Sequence, residues 1–221
     1  MVPATAAVLR PRSRWAGRAD EDGVMTDAYH QSSRALQDRF DTRRLADRLH
    51  DMFRSRWTLD EVRPFIDAAP MFFLATADRD GRPQCSYKGG APGFVQVLAP
   101  MELCFPNYDG NGMYLSMGNI VENPAIQMLF IDFTNPQRIR VSGRATLSDD
   151  PALVGRYPGA QFAIHVAVDD VFPNCPRYIH KMDGDELSPN VPAADGSAPI
   201  AEWKCIPQFN EVLAADDPAR A

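Results

Sequence analysis

The chain has no apolar run long enough to cross a bilayer, which excludes a membrane-spanning helix from the reading. Positive charge is also in short supply: 23 Lys and Arg stand against 29 Asp and Glu, and the formal net charge of −6 argues against nucleic acid as a partner. Cysteine is sparse and scattered, at Cys85, Cys104, Cys175 and Cys205, with no CxxC and no Cys/His pair at metal-ligand spacing. Thiols so placed read as reduced structural residues of a soluble, cytoplasmic protein. Residues 1–25 hold Arg10, Arg12, Arg14 and Arg18 among Ala and Pro but lack the apolar segment of a secretory signal. They read as a disordered extension, and Met25, directly before a helical pattern, as the real start.

What is present suffices for a core, since 45% of the 221 residues are hydrophobic, in a length suited to one domain with appendages. Over residues 26–56, Leu36, Phe40, Leu45, Leu49 and Phe53 recur every four or five positions, the spacing of one helix or a pair. Thr58 to Glu61 (TLDE) forms a capping box, and Val62, Phe65 and Ile66 continue a helix that must end before Pro70. Residues 71–77 (MFFLATA) are a strand, and residues 78–81 a turn with Gly81 where positive φ is needed. On the return strand, residues 82–88, Gln84, Ser86 and Lys88 share one face and Cys85 and Tyr87 the other.

A second strand pair follows at 94–98 and 101–105, around Ala99 and Pro100. Residues 126–133 are apolar on both faces and read as a central strand covered on both sides. Along 137–147, Ile139, Val141, Gly143, Ala145 and Leu147 alternate with Arg138, Arg140, Ser142, Arg144 and Thr146, giving a core face and a cationic face suited to an anion. Another alternating strand spans 162–168, with His165 on its other face, and residues 172–182 read as a short helix. Residues 183–198 have the composition of a linker. Beyond it Trp203, Ile206, Phe209, Val212 and Leu213 need a surface to cover.

Between the two sheet-forming blocks lies the stretch 105–124, FPNYDGNGMYLSMGNIVENP. Its DGNG tetrad can take positive φ at Gly110 and Gly112, and it opens a helix over 113–122 with Met113, Met117, Ile120 and Val121 on one face. Exposed backbone N–H groups at such a helix start can hold a phosphate.

Short strands with one helix inserted midway predict a mostly β chain with flanking helices (α+β), specifically a six-stranded antiparallel split β-barrel over residues 57–182. There the chain resembles the pyridoxamine 5′-phosphate oxidase-like FMN-binding split-barrel family, and within it the predicted flavin-nucleotide-binding subgroup. The resemblance is carried in order by FFLATADRDGRPQCSYKGG, PGFVQVL, GNGMYLSMGNIVENP with IQMLFI, RIRVSGRATL and FPNCPRYIHK. It implies a homodimer holding FMN at its interface.

Residue by residue, the resemblance places Ser86, Tyr87 and Lys88 near the ribityl phosphate, Phe105 and Pro106 against the flavin, Asn111, Gly112 and Ser116 on the phosphate, and Arg138 before the isoalloxazine. Arg140 joins Arg138 by strand alternation. The chain departs from its relatives in lacking basic residues after the loop asparagine, where it has Gly112, Met113, Leu115 and Ser116. Two lost charge-assisted contacts, each about 1.5–3 kcal/mol, weaken FMN binding on the order of a hundredfold or more unless Lys88, Arg138, Arg140 or the helix start compensates. The implied activity is an FMN-dependent oxidoreduction of a small molecule, with no catalytic side chain assigned. The alternatives are a non-catalytic flavin or haem binder, with His165, His180 or Cys175 as axial ligand, and a reductase using the deazaflavin F420.

Overall fold

The computed structural model describes residues 29–53, 57–108, 112–182, 199–200, 202–213, 215 and 217–220. The expected disordered extension, the start at Met25 and the linker at 183–198 lie outside those residues. At the centre is one antiparallel sheet in the order β2-β1-β5-β6-β7-β4-β3. Its strands are β1 (Met71–Ala77), β2 (Pro83–Gly89), β3 (Gln96–Ala99), β4 (Glu102–Tyr108), β5 (Ala125–Asp132), β6 (Gln137–Ser148) and β7 (Ala160–Asn174).

The sheet curls on itself. β1 and β4 stand four places apart in the order, roughly 19 Å in a flat sheet, yet the Phe72 and Phe105 ring centroids are 5.0 Å apart. Phe94 and Phe130 complete the cluster around Phe72, at 5.8 and 5.2 Å. Each fully buried Phe contributes roughly 1.5–3 kcal/mol, which is enough to hold the sheet bent. The edge strands β2 and β3 do not pair with each other, so the barrel is split. Seven strands form it instead of six. Each falls on a stretch read as a strand from sequence, β3, four residues long and irregular between Val97 and Ala99, being the first of the pair expected at 94–98 and 101–105, so the count of six was one short of those stretches.

Two strands differ from their sequence reading. β7 runs on through Phe172 and Pro173, which pair with Arg140 and Ile139, so the helix expected over 172–182 is strand and turn. Pro173 is tolerated at the end of a ladder, where its pairing with Ile139 keeps the chain extended. β5 is buried on one face only: Ile126, Met128 and Phe130 are in the core, whereas Gln127, Leu129 and Ile131 are half-buried on the outer face.

The helices bracket this sheet. The segment 26–56 yields the pair α1 (Gln31–Arg39) and α2 (Arg43–Phe53), and α3 (Leu59–Ala68) starts at the expected capping box. There the Thr58 N–H donates to Glu61 Oε2 at 2.7 Å, and the Asp60 N–H donates to Thr58 Oγ1 at 3.3 Å. α3 buries Leu59, Val62 and Ile66 in the barrel core. α4 (Leu115–Glu122) follows β4, and α5 (Pro151–Val154) is one turn capped by Asp150.

The tail folds as a 3-10 turn (Glu202–Cys205) and α6 (Pro207–Asn210). Phe209, Val212 and Leu213 bury against Leu45, with Leu49, Met52, Phe53 and Trp203 around them. The surface the tail needed is therefore α2 of the same chain. Among the described residues no helix is long and apolar enough to cross a membrane.

Candidate functional site

A cleft of about 280 Å³ opens between β2, the end of β4 and the start of α4. Its position follows from three attachments of α4. Arg79, in the β1–β2 turn, forks onto Glu122 at 2.8 and 3.2 Å; Asn119 Nδ2 donates to Thr76 Oγ1 of β1 at 3.1 Å; Ser116 Oγ donates to Gln84 Oε1 of β2 at 3.0 Å. The helix is thereby laid along the first hairpin with its N-terminus at the cleft.

That N-terminus is made by backbone conformation. Gly112 takes φ +72, as its place in the glycine-rich loop predicts. Tyr114 is the N-cap at φ +49 and makes no side-chain cap, so the amides of Leu115, Ser116 and Met117 are left without an intrahelical acceptor. A left-handed Tyr is costly, and outside contacts hold it. Its hydroxyl donates to Gln161 Oε1 at 2.9 Å, where Asn107 Nδ2 also donates at 3.0 Å, and its ring lies against Phe162. This turn also shortens the expected helix, which begins at Leu115 instead of 113. The buried face carries Ser116, Met117 and Ile120, while Met113 and Val121, expected on it, are exposed.

Of the residues singled out from sequence, Ser86, Tyr87, Lys88, Gly112 and Ser116 line the cleft together. Asn111 lies outside the described residues. Phe105 and Pro106 are buried in β4, with the Phe105 side chain fully enclosed in the barrel core, and neither lines the cleft. Arg138 and Arg140 are elsewhere again. Register ties Arg140 to Leu129, Leu129 to Phe73, and Phe73 to Tyr87, a row across the outer face of the sheet, whereas Ser86 and Lys88 point to the inner side. The buried Arg138 Nε has no hydrogen-bond partner among the described residues.

Lys88 is the only charged side chain among the described lining residues, and burial lowers its pKa from the ordinary lysine value. No carboxylate among the described residues pairs with it. A cation half-removed from water without a counterion is a place for an anion. Phosphate fits the cradle chemically, because the ammonium and the α4 amides are donors and phosphate oxygens accept.

The three candidate axial ligands are not gathered at one place. Cys175 Sγ accepts from the Trp203 indole at 3.3 Å, His165 Nε2 is 3.4 Å from Glu102, and His180 is exposed. Residues not singled out as site residues include Gln84, Asn107 and Tyr114, all in the lining. Gln84 was legible as the residue two before Ser86 on the same strand face; Asn107 and Tyr114 carried no signal of their own.

With that geometry in hand, the family profile described as pyridoxamine 5′-phosphate oxidase matches residues 58–174, from the α3 cap to the last residue of β7. The chain belongs to this family. Several solved structures align with about half of the chain. A putative pyridoxamine 5′-phosphate oxidase from Lactobacillus delbrueckii is 22% identical, with 54% of this chain and 98% of that one covered at a TM-score of 0.42. HupZ of Group A Streptococcus is 18% identical, covering 52% of this chain and 91% of its own, at 0.41. HutZ, the haem storage protein of Vibrio cholerae, is 18% identical, covering 52% and 94%, at 0.37. No curated protein matches the chain.

Proposed function

We propose that the chain is an FMN-binding oxidoreductase acting on a small molecule, with the flavin held at a homodimer interface. The observation that carries this reading is Lys88, a desolvated cation without a counterion, set beside the uncapped start of α4 in a cleft. In that position Lys88, Ser86, Ser116 and the first amides of α4 would hold the phosphate, and Tyr108 and Tyr114 would wall the remainder of the ligand. Bound there, FMN supplies hydride or electron transfer. The chain's own part is to orient the cofactor and set the charge around it.

Support for the dimer comes from the outer face of the sheet. Tyr87 is 62% exposed there, and Leu129 and Ile131 are half-covered in a strand that has neighbours on both sides. A second copy packing on this row would cover them and shield Arg138. The deciding experiment is an absorption spectrum of the purified protein after incubation with FMN and gel filtration, with the oligomeric state read from the same column. Retained flavin bands in a dimer peak are expected. Failure to retain FMN at any protein concentration would overturn the reading.

A further inference from the structure

The hydrogen bonds under the cleft have a direction. Ser116, 4% exposed, donates its hydroxyl proton to Gln84 Oε1 at 3.0 Å and lies 2.9 Å from Ser86 Oγ. A serine hydroxyl has one proton. With that of Ser116 committed to Gln84, the Ser86 contact is Ser86 donating to Ser116. On the other side of Gln84 the order runs in the same sense: Asn119 Nδ2 donates to Thr76 Oγ1 at 3.1 Å, and Thr76 donates to Gln84 Oε1 at 3.2 Å. The amide nitrogen of Asn119 has only protons to give, so Gln84 Oε1 receives from both sides. Ser86 has no further hydrogen bond among the described residues. Toward the cleft its oxygen therefore presents lone pairs and no proton.

Two properties of the cleft follow. Its described side chains supply one positive charge, at Lys88, and its nearest hydroxyl accepts instead of donating. A phosphate dianion offers no proton to the lone pairs of Ser86, and beyond Lys88 only the partial charge of the first α4 amides answers its second charge. We propose that the phosphate this cleft takes is the singly protonated monoanion, its P–O–H donating to Ser86 Oγ and its single charge balanced by Lys88. The proposal deepens the FMN reading and rests on it. Reversing the chain so that Ser86 donates to the ligand would strip the half-buried Gln84 of one of its two donors, so the preference is held in place by the buried Ser116 and Thr76 on either side of it.

A phosphate monoester loses its second proton near pH 6, at about the second pKa of a phosphorylated side chain. The titratable side chains lining the cleft are Lys88, Tyr87, Tyr108 and Tyr114; among the described residues it has no carboxylate or histidine, the groups that ordinarily change charge in this range.

The test is the affinity for FMN, by flavin fluorescence, from pH 5 to pH 8, with riboflavin as the phosphate-free control. FMN affinity is expected to fall at least about tenfold across that range while riboflavin affinity stays level. Lys88→Arg, whose guanidinium keeps its proton throughout, should retain the fall. Ser86→Ala and Gln84→Met, the first removing the acceptor and the second freeing the Ser116 proton, should flatten it. FMN binding that is level or strengthens with pH overturns this inference and leaves the FMN reading standing. Absence of binding at every pH, for FMN and for inorganic phosphate followed by phosphorus NMR, overturns both.

Discussion

Lys88 concentrates the site's electrostatics in one side chain. Replacing it by Ala removes the only charged contact that the described lining offers a phosphate, worth roughly 1.5–3 kcal/mol, so Lys88→Ala should weaken FMN about ten- to a hundredfold in an equilibrium titration, with little effect on riboflavin. A different residue pair shows the opposite case, polar groups that are closed off. The Tyr157 hydroxyl donates to the Cys104 carbonyl at 3.1 Å, and its oxygen lies 2.8 Å from Cys104 Sγ, which leaves the thiol as donor. Burial pushes the thiol and the phenol up from their ordinary values. Cys104 should accordingly stay unlabelled by a thiol reagent that modifies the exposed Cys85 and Cys205 in the native protein. Tyr157→Phe removes the partner of the buried Cys104 thiol and should cost about 1–3 kcal/mol in a denaturant melt. In sequence these two were an isolated cysteine and an isolated tyrosine 53 positions apart, and only the fold joins them.

Among the elements, β6 and β7 are the longest pair, and a glycine of β6 lies close against β7. Their register shifts between Ser142 and Gly143, and a Cβ on Gly143 would lie 2.4 Å from the Ala167 carbonyl oxygen. Backbone cannot yield as a side-chain end can, so Gly143→Ala should destabilise the protein by about 1–3 kcal/mol, seen as a lower melting temperature. The alternation that identified β6 holds at Ile139, Val141, Gly143 and Ala145, which are in the core, and fails at Leu147, which is exposed, whereas that of β7 was lost past Val168, where the shift breaks the period and Asp170 is buried. Capping boxes and turn glycines act through neighbours in sequence, which made α3 and the first hairpin legible. The face of α4 was misjudged for the opposite reason. Hydrophobicity nominated Met113 and Val121, but a left-handed Tyr114, held from Gln161 on a strand distant in sequence, fixes where the helix starts. The cleft was half legible in the same way: Ser86, Lys88 and Gly112 follow from strand alternation and loop chemistry, while the separation of Arg138 and Arg140 from them depends on which strands pair and in what register.

For the molecule as a whole, the barrel and the small core of α2 and the tail are distinct packing units in one chain. The small core is tied by ions and hydrogen bonds as well as by Phe209. Lys204 Nζ reaches Asp217 at 2.5 Å, Arg48 donates to the Gln208 carbonyl at 2.6 Å, and the Ala215 N–H donates to Asp41 at 3.0 Å. Burial acts to raise the Asp217 carboxyl, but the hydrogen bonds from Lys204 and the Ala219 N–H outweigh it and hold it below the usual carboxylate range. A folded pKa depressed in this way contributes stability that is full above the unfolded value, near 4, and is lost as pH falls through the folded one. The tail should therefore loosen in acid before the barrel does, read as a change in the fluorescence of Trp203, whose ring stands 5.2 Å from Phe209. Asp217→Asn should produce the same change at neutral pH. The closure of α2 on the tail also has a mechanical meaning. A force applied near residues 29 and 220 would be carried first by the small core and would reach the strands around the cleft only after that core had given way, so the tail acts as a fuse in series ahead of the binding site.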